Sequence, residues 1–206
     1  MKNLFHLTIL FSLMTICCSC SNNSSDNGED QSLIASFTQE CFLKRFNEFN
    51  TTHPEYKSGF LPGYFATSNY SIEKFINRFE SFNNTYPKYK SGFLPGYYAS
   101  SNHSLEKFMN RFEEFNSAYP KYKSGFLPGY FAESTYSLEK FMNRFEEFNS
   151  AHPEYKSGFL PGYFAESDHS ITEFINRFNE FNEKYPEYKS GFLPGYYAQS
   201  GHNLCD

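Results

Sequence analysis

The apolar positions Ile72, Phe75, Ile76, Phe79 and Phe82 fall at i, i+3, i+4, i+7 and i+10. At 100° per residue they span an arc of about 120°, a continuous stripe along one face of an α-helix. Lys74, Asn77, Arg78, Glu80 and Ser81 occupy the other side. Ser71 stands where an N-cap hydroxyl belongs, and Glu73 sits in the first turn, where the helix dipole favours a carboxylate. Pro87 disfavours helical geometry at Tyr86, so the helix must stop there. The next stretch is rich in breakers. Lys90-Ser91-Gly92 reads as a flexible corner, and Leu94-Pro95-Gly96 as a type II turn in which Pro fixes φ and Gly supplies a positive φ. Tyr89, Phe93, Tyr97 and Tyr98 are too apolar for a free loop. They predict a short helical turn or an extended segment packed over the neighbouring helix.

This unit recurs. Lys57, Lys90, Lys123, Lys156 and Lys189 lie 33 residues apart, each inside the string YKSGFLPGY. The first copy, from Thr38, has drifted most, yet Phe42, Arg45, Phe46 and Phe49 keep register. Stripe positions vary little between copies, whereas the residue after each repeat proline changes sign freely: Glu55, Lys88, Lys121, Glu154, Glu187. A position that tolerates either charge is a solvated one. A lone helix of about 13 residues is marginal in water, and one unit cannot bury so many rings, so the units must stack side by side. The fold class expected is mainly α: five tandem 33-residue helix-plus-turn repeats, as a solenoid or a closed ring, without substantial β-sheet.

Composition reinforces this. Of 206 residues, 26 are Phe and 17 are Tyr, with no Trp and no Val, so the side chains that fill pleated sheets are scarce. The formal charge of −5 and the scattered lysines leave no basic stripe for phosphate backbones, which speaks against nucleic acid as a partner.

The chain divides into an export signal (1–20), a polar tether expected to be disordered (21–37) and the repeat domain (38–206). Residues 1–20, MKNLFHLTILFSLMTICCSC, place one Lys before an apolar run too short for a confident membrane span. Ending at Ser19-Cys20 ahead of a Ser/Asn/Asp-rich stretch, the segment resembles a bacterial lipoprotein signal. That resemblance implies lipidation at Cys20. The alternative is ordinary secretory cleavage, with sequons at Asn50, Asn69, Asn83 and Asn102 as glycan acceptors. Cys41 and Cys205 remain, 164 residues apart and one short of five periods. Pairing is expected in an oxidising compartment. An open stack would hold them roughly 50 Å apart, so either a ring closes through Cys41–Cys205 or these thiols stay unpaired or pair between chains.

Candidate chemistry is sparse. No phosphate-cradling loop, HExxH or GxSxG occurs. His53 and His152 share a slot with Tyr86, Tyr119 and Tyr185, and His103, His169 and His202 share one with Tyr70 and Tyr136. A zinc ligand could not be Tyr in half the copies, so these are packing or capping rings, and no metal or other cofactor is expected. Glu113 and Glu114 read as charges flanking Arg111 on a wet face. The invariant arginines, such as Arg45, could mark a binding spot or a structural one. The candidate binding residues are the invariant pairs Lys57 and Tyr64, Lys90 and Tyr97, Lys123 and Tyr130, Lys156 and Tyr163, Lys189 and Tyr196.

Two functions fit. One is an exported, lipid-anchored, non-catalytic binding or scaffold module for a protein, peptide or glycan at the cell surface, touching the membrane only through its anchor. The other is a secreted precursor whose SGFLPGYF and SGFLPGYY segments are excised or cross-linked by processing enzymes, an organisation similar to precursors of plant cyclic peptides. Against the second, no dibasic pair separates the units.

Overall fold

The computed structural model describes the backbone of residues 27–201 and the side chains of residues 38–201. The export signal, Cys20, His202 and Cys205 lie outside the described residues. Among the described residues there are ten α-helices and no strand. Five are long: α1 (Asn27–Thr52), α3 (Ile72–Thr85), α5 (Leu105–Ala118), α7 (Leu138–Ala151) and α9 (Ile171–Lys184). Each is followed by a 3-10 turn, such as Pro54–Tyr56, and then by a seven-residue helix. These short helices are α2 (Leu61–Thr67), α4 (Leu94–Ser100), α6 (Leu127–Glu133), α8 (Leu160–Glu166) and α10 (Leu193–Gln199).

The long helices begin and end where local chemistry directs. The hydroxyls of Ser71, Ser104, Ser137 and Ser170 accept the amides of Lys74, Lys107, Lys140 and Glu173 at 3.2–3.3 Å. Tyr86 closes α3 by donating its amide to the Phe82 carbonyl, and Pro87 then opens the 3-10 turn. Phe75 and Phe82 are fully buried, as are their equivalents in the other copies. Helix α1 begins at Asn27, inside the stretch expected as a disordered tether, so the helical backbone reaches further toward the N-terminus than the repeat does.

The short helices correct the turn expected at Leu-Pro-Gly. No glycine among the described residues has a positive φ. Proline instead occupies the first helical turn, where its missing N–H forfeits no bond. Glycine is required there for a different reason. A Cβ at Gly96 would lie 2.5 Å from a Tyr64 ring carbon, one at Gly129 2.4 Å from Tyr97, and one at Gly63 2.5 Å from Tyr196. Each tyrosine ring lies flush on the next short helix, and only a residue without a side chain leaves room.

The pairing of Gly63 with Tyr196 joins the last copy to the first. Helix α10 packs on α2 just as α2 packs on α4, α4 on α6 and α6 on α8. Outside them, Phe42 meets Phe181 with ring centroids at 5.9 Å, Phe46 meets Tyr188 at 6.2 Å, and Lys184 Nζ lies 3.6 Å from Glu40 Oε1. The array is therefore a closed ring, with the short helices inside and the long ones outside. Cys41 is buried and disulfide-bonded.

Three layers of side chains fill the axis, one from each turn of the inner helices. Phe60, Phe93, Phe126, Phe159 and Phe192 form a pentagon of edge-to-face contacts with centroids 4.3–4.5 Å apart. Four residues on, Tyr64, Tyr97, Tyr130, Tyr163 and Tyr196 form a second pentagon at 4.7–5.0 Å. Three residues further stand Thr67, Ser100, Glu133, Glu166 and Gln199, around a cavity of about 200 Å³.

Candidate functional site

The two halves of the expected Lys/Tyr sites have different fates. Lys57, Lys90, Lys123, Lys156 and Lys189 are exposed, each directly after a 3-10 turn at the phenylalanine end of the ring. Tyr64, Tyr97, Tyr130, Tyr163 and Tyr196 are only 2% exposed, so they form the core of the axis and not an open stacking platform. Burial, more than any neighbour, pushes all five phenols well above the ordinary tyrosine range. Lysine and tyrosine still meet, across the copies. Lys90 and Phe79 line a crevice of about 390 Å³ with Tyr56, Phe60 and Tyr64 of the preceding copy. Lys156 lines the equivalent crevice of about 330 Å³ with Tyr122, Phe126, Tyr130 and Phe145.

The invariant arginines are structural. Arg78 donates to the carbonyls of Tyr98, Ser101 and His103 at 2.8–2.9 Å and stacks over the Tyr98 ring at 4.2 Å. Arg111 does the same for Phe131 and Tyr136, and Arg144 for Phe164, Ser167 and His169. The last carbonyls of a helix lack intrahelical donors, and here a guanidinium from the outer helix supplies them. Arg111 is thus drawn inward, away from the wet face expected for it, and it ties the two rings of helices together.

The Tyr/His slot also has a visible purpose. The Tyr70 hydroxyl donates to the Ser101 carbonyl at 2.9 Å and that of Tyr136 to Ser167 at 3.0 Å. His103 Nε2 lies 2.9 Å from the Ser134 carbonyl and His169 Nε2 2.7 Å from that of Ser200. Either ring reaches one copy forward with a single N–H or O–H. His53 and His152 pack on Phe49 and Phe148.

The asymmetric place in the ring is the polar end of the axis. Its cavity takes one side chain from the end of every inner helix: Thr67, Ser100, Glu133, Glu166 and Gln199. Ser100 Oγ lies 2.5 Å from Glu133 Oε1, the Glu133 and Glu166 carboxyls lie within hydrogen-bond reach of each other, and Gln199 Oε1 is shut off from solvent without a hydrogen-bond partner. Among the described residues no Lys, Arg or His lines the cavity. Desolvation pushes the Glu133 carboxyl up to about 8, against a lowering by Ser100 and Glu166. It drives Glu166 well above the carboxylate range as well, with the charge of Glu133 adding to it.

Sequence reasoning passed over this site because it treated the copies as five near-equal modules. A signal was present. In the string from Leu61 to Ser68 and its equivalents, which otherwise varies only between Phe and Tyr at one position, the position before the serine reads Thr, Ser, Glu, Glu, Gln. No protein-family model, curated protein or solved structure matches the chain, so a functional reading starts from this geometry.

Proposed function

We propose that the chain is an exported, lipid-anchored and non-catalytic ring that binds a surface partner multivalently at its phenylalanine end. The observation that carries this reading is the crevice between successive copies, seen between the first and second and again between the third and fourth. Each crevice has aromatic walls from both copies and an ammonium group from the second of them. The aromatic walls suit the flat faces of a sugar or the apolar side chains of a peptide, and the lysine suits an anionic group on the same ligand. A single site of this kind is weak. Several sites on one rigid face raise affinity through effective concentration when the partner repeats its own motif.

The burial of the repeated string weighs against the precursor reading. Leu94, Pro95, Gly96, Tyr97 and Tyr98 are all buried, so a processing enzyme would have to open the ring to reach them. Export and anchoring rest on the N-terminal signal. No helix among the described residues is long and apolar enough to cross a membrane, which suits attachment through a lipid on Cys20.

Mass spectrometry of native material tests the address. An intact chain beginning at acylated Cys20 supports it, and free peptides ending at the SGFLPGY tyrosines contradict it. For binding, a glycan and surface-peptide panel is read with the wild-type chain and with Lys57, Lys90, Lys123, Lys156 and Lys189 all changed to Ala. Loss of a wild-type hit by about 100-fold or more, as expected when several linked contacts fail together, supports the crevices; a hit that survives places the binding elsewhere.

A further inference from the structure

We propose that the polar end of the axis is a binding site for one hard divalent cation of the calcium class, held by Glu133 and Glu166 together with the oxygens of Ser100, Thr67 and Gln199. Two carboxyl groups face one half-open cavity with no basic side chain among the described residues of its lining. Burying two acids side by side is costly unless a proton or a cation compensates them. The second sign is a shortage of donors: the Glu133 and Glu166 carboxyls reach each other and can bond only through a shared proton, and Gln199 Oε1 has no partner at all. Buried polar atoms are nearly always bonded, and a cation at the cup would satisfy all three side chains.

The chemistry of the donors selects the cation. All five are oxygen-bearing side chains, and among the described residues no His or Cys lines the cavity, which sets it apart from the preferences of zinc and copper. Among the described residues no three His, Cys, Asp or Glu side chains converge into a metal cluster. The cup instead combines two charged oxygens with neutral ones, the mixture that calcium accepts. Their arrangement follows from the ring, since one side chain per inner helix gives five donors around a single axis. Calcium tolerates a pentagonal girdle, in which neighbouring oxygens at about 2.4 Å from the ion would be about 2.8 Å from each other. Ser100 Oγ and Glu133 Oε1 are already 2.5 Å apart. Thr67 Oγ1 donates its proton to the Tyr64 carbonyl at 2.9 Å and so turns its lone pairs outward as an acceptor. The cavity, about 200 Å³, leaves room for waters at roughly 30 Å³ each to complete the shell.

Arg45, Arg78, Arg111, Arg144 and Arg177 touch the serine carbonyls or hydroxyls behind the cup, but their guanidiniums are engaged by helix-end carbonyls and stacked rings. Asp168 at the rim accepts the Tyr136 hydroxyl at 2.6 Å and adds negative charge. A single divalent ion neutralises the two glutamates.

The tyrosine layer one helical turn away makes the site easy to read. The chain has no Trp, so excitation of tyrosine sensitises terbium bound at the cup. Titrating the full chain with terbium is expected to give a saturable emission at one ion per chain that calcium displaces, and calcium is expected to raise the melting temperature. Glu133→Gln with Glu166→Gln should keep the helical circular dichroism and weaken binding at least about 100-fold. Glu166→Gln alone, with one carboxylate left, should weaken it about 10-fold and serves should the double variant not fold. Absence of terbium emission from the wild type overturns the proposal. So does emission that persists in the double variant, which would belong to surface carboxylates, or a melting shift given by methylammonium but not by calcium, which would assign the cup to an amine. The five-lysine variant should bind terbium like the wild type, so this test stands apart from that of the crevices.

Discussion

At one end of the ring axis the inner helices present phenylalanine five times, and in the middle they present tyrosine five times. At the other end the same helices present Thr67, Ser100, Glu133, Glu166 and Gln199. All three layers come from one face of one repeated helix, so the difference is not one of backbone. The uniform layers close the ring. Each ring edge meets the face of the next at 4.3–5.0 Å, an arrangement aromatic quadrupoles favour. The mixed layer contributes little packing and instead gathers two carboxyl groups and three neutral polar side chains around one cavity. Uniformity marks what the fold needs, and departure from it marks where a specific chemistry is held.

The sharpest way to break this contrast is at the tyrosine layer. Gly129→Ala places a methyl 2.4 Å from a Tyr97 ring carbon, and the backbone must shift because the ring is packed on both sides. An overpacked core of this kind costs about 3 kcal/mol or more, read as a lower urea midpoint. Gly125→Ala, where an added Cβ meets only the Tyr122 carbonyl at 3.4 Å, is expected to cost far less. Arg111→Met comes next. It leaves the Tyr136 carbonyl without its donor and the Phe131 carbonyl with only the Ser134 hydroxyl, and should cost about 2 kcal/mol.

The polar layer predicts a pH dependence of opposite sign to that of an ordinary salt-bridged acid. The folded ring holds a proton on Glu133 up to about pH 8, and Glu166 is raised in the same direction. The unfolded chain releases both protons near pH 4.5. Stability contributed by these groups is therefore complete in acid and is lost progressively as pH rises toward 8. His103, lowered by burial, acts the other way, destabilising the ring as pH falls through the ordinary histidine range. Comparing melting temperatures of the wild type and the Glu133→Gln, Glu166→Gln variant cancels that contribution. In metal-free buffer the variant should show the flatter profile between pH 5 and 8. The smallest effect is expected at Tyr97→Phe. Its buried hydroxyl lies within hydrogen-bond reach of those of Tyr64 and Tyr130, so removing it should cost about 1 kcal/mol.

Much of the outer ring was legible in the sequence. Ser71, the stripe from Ile72 to Phe82 and Pro87 place α3 to the residue, because caps and periodicity are local. The 33-residue spacing and the near-match of Cys41 and Cys205 to five periods raised closure as a possibility. The inner ring was not legible in the same way. Leu-Pro-Gly satisfies the rules for a type II turn as well as those for a helix start. What decides between them is Tyr64 pressing on Gly96 from another copy, a contact no local window contains. The cup was missed for the same reason, since residues 33 apart become neighbours only once the ring shuts.

Closure is therefore the claim on which the axis, its layers and its cup all depend. Lys184 Nζ and Glu40 Oε1, from the last long helix and the first, lie 3.6 Å apart and both side chains are accessible. Carbodiimide coupling without a spacer, followed by peptide mass spectrometry of the gel-purified monomer, reads that distance directly. A Glu40–Lys184 amide within one chain is the result expected of the ring. Its absence from the monomer, or its appearance only between chains, would mean an open array with its ends tens of ångströms apart.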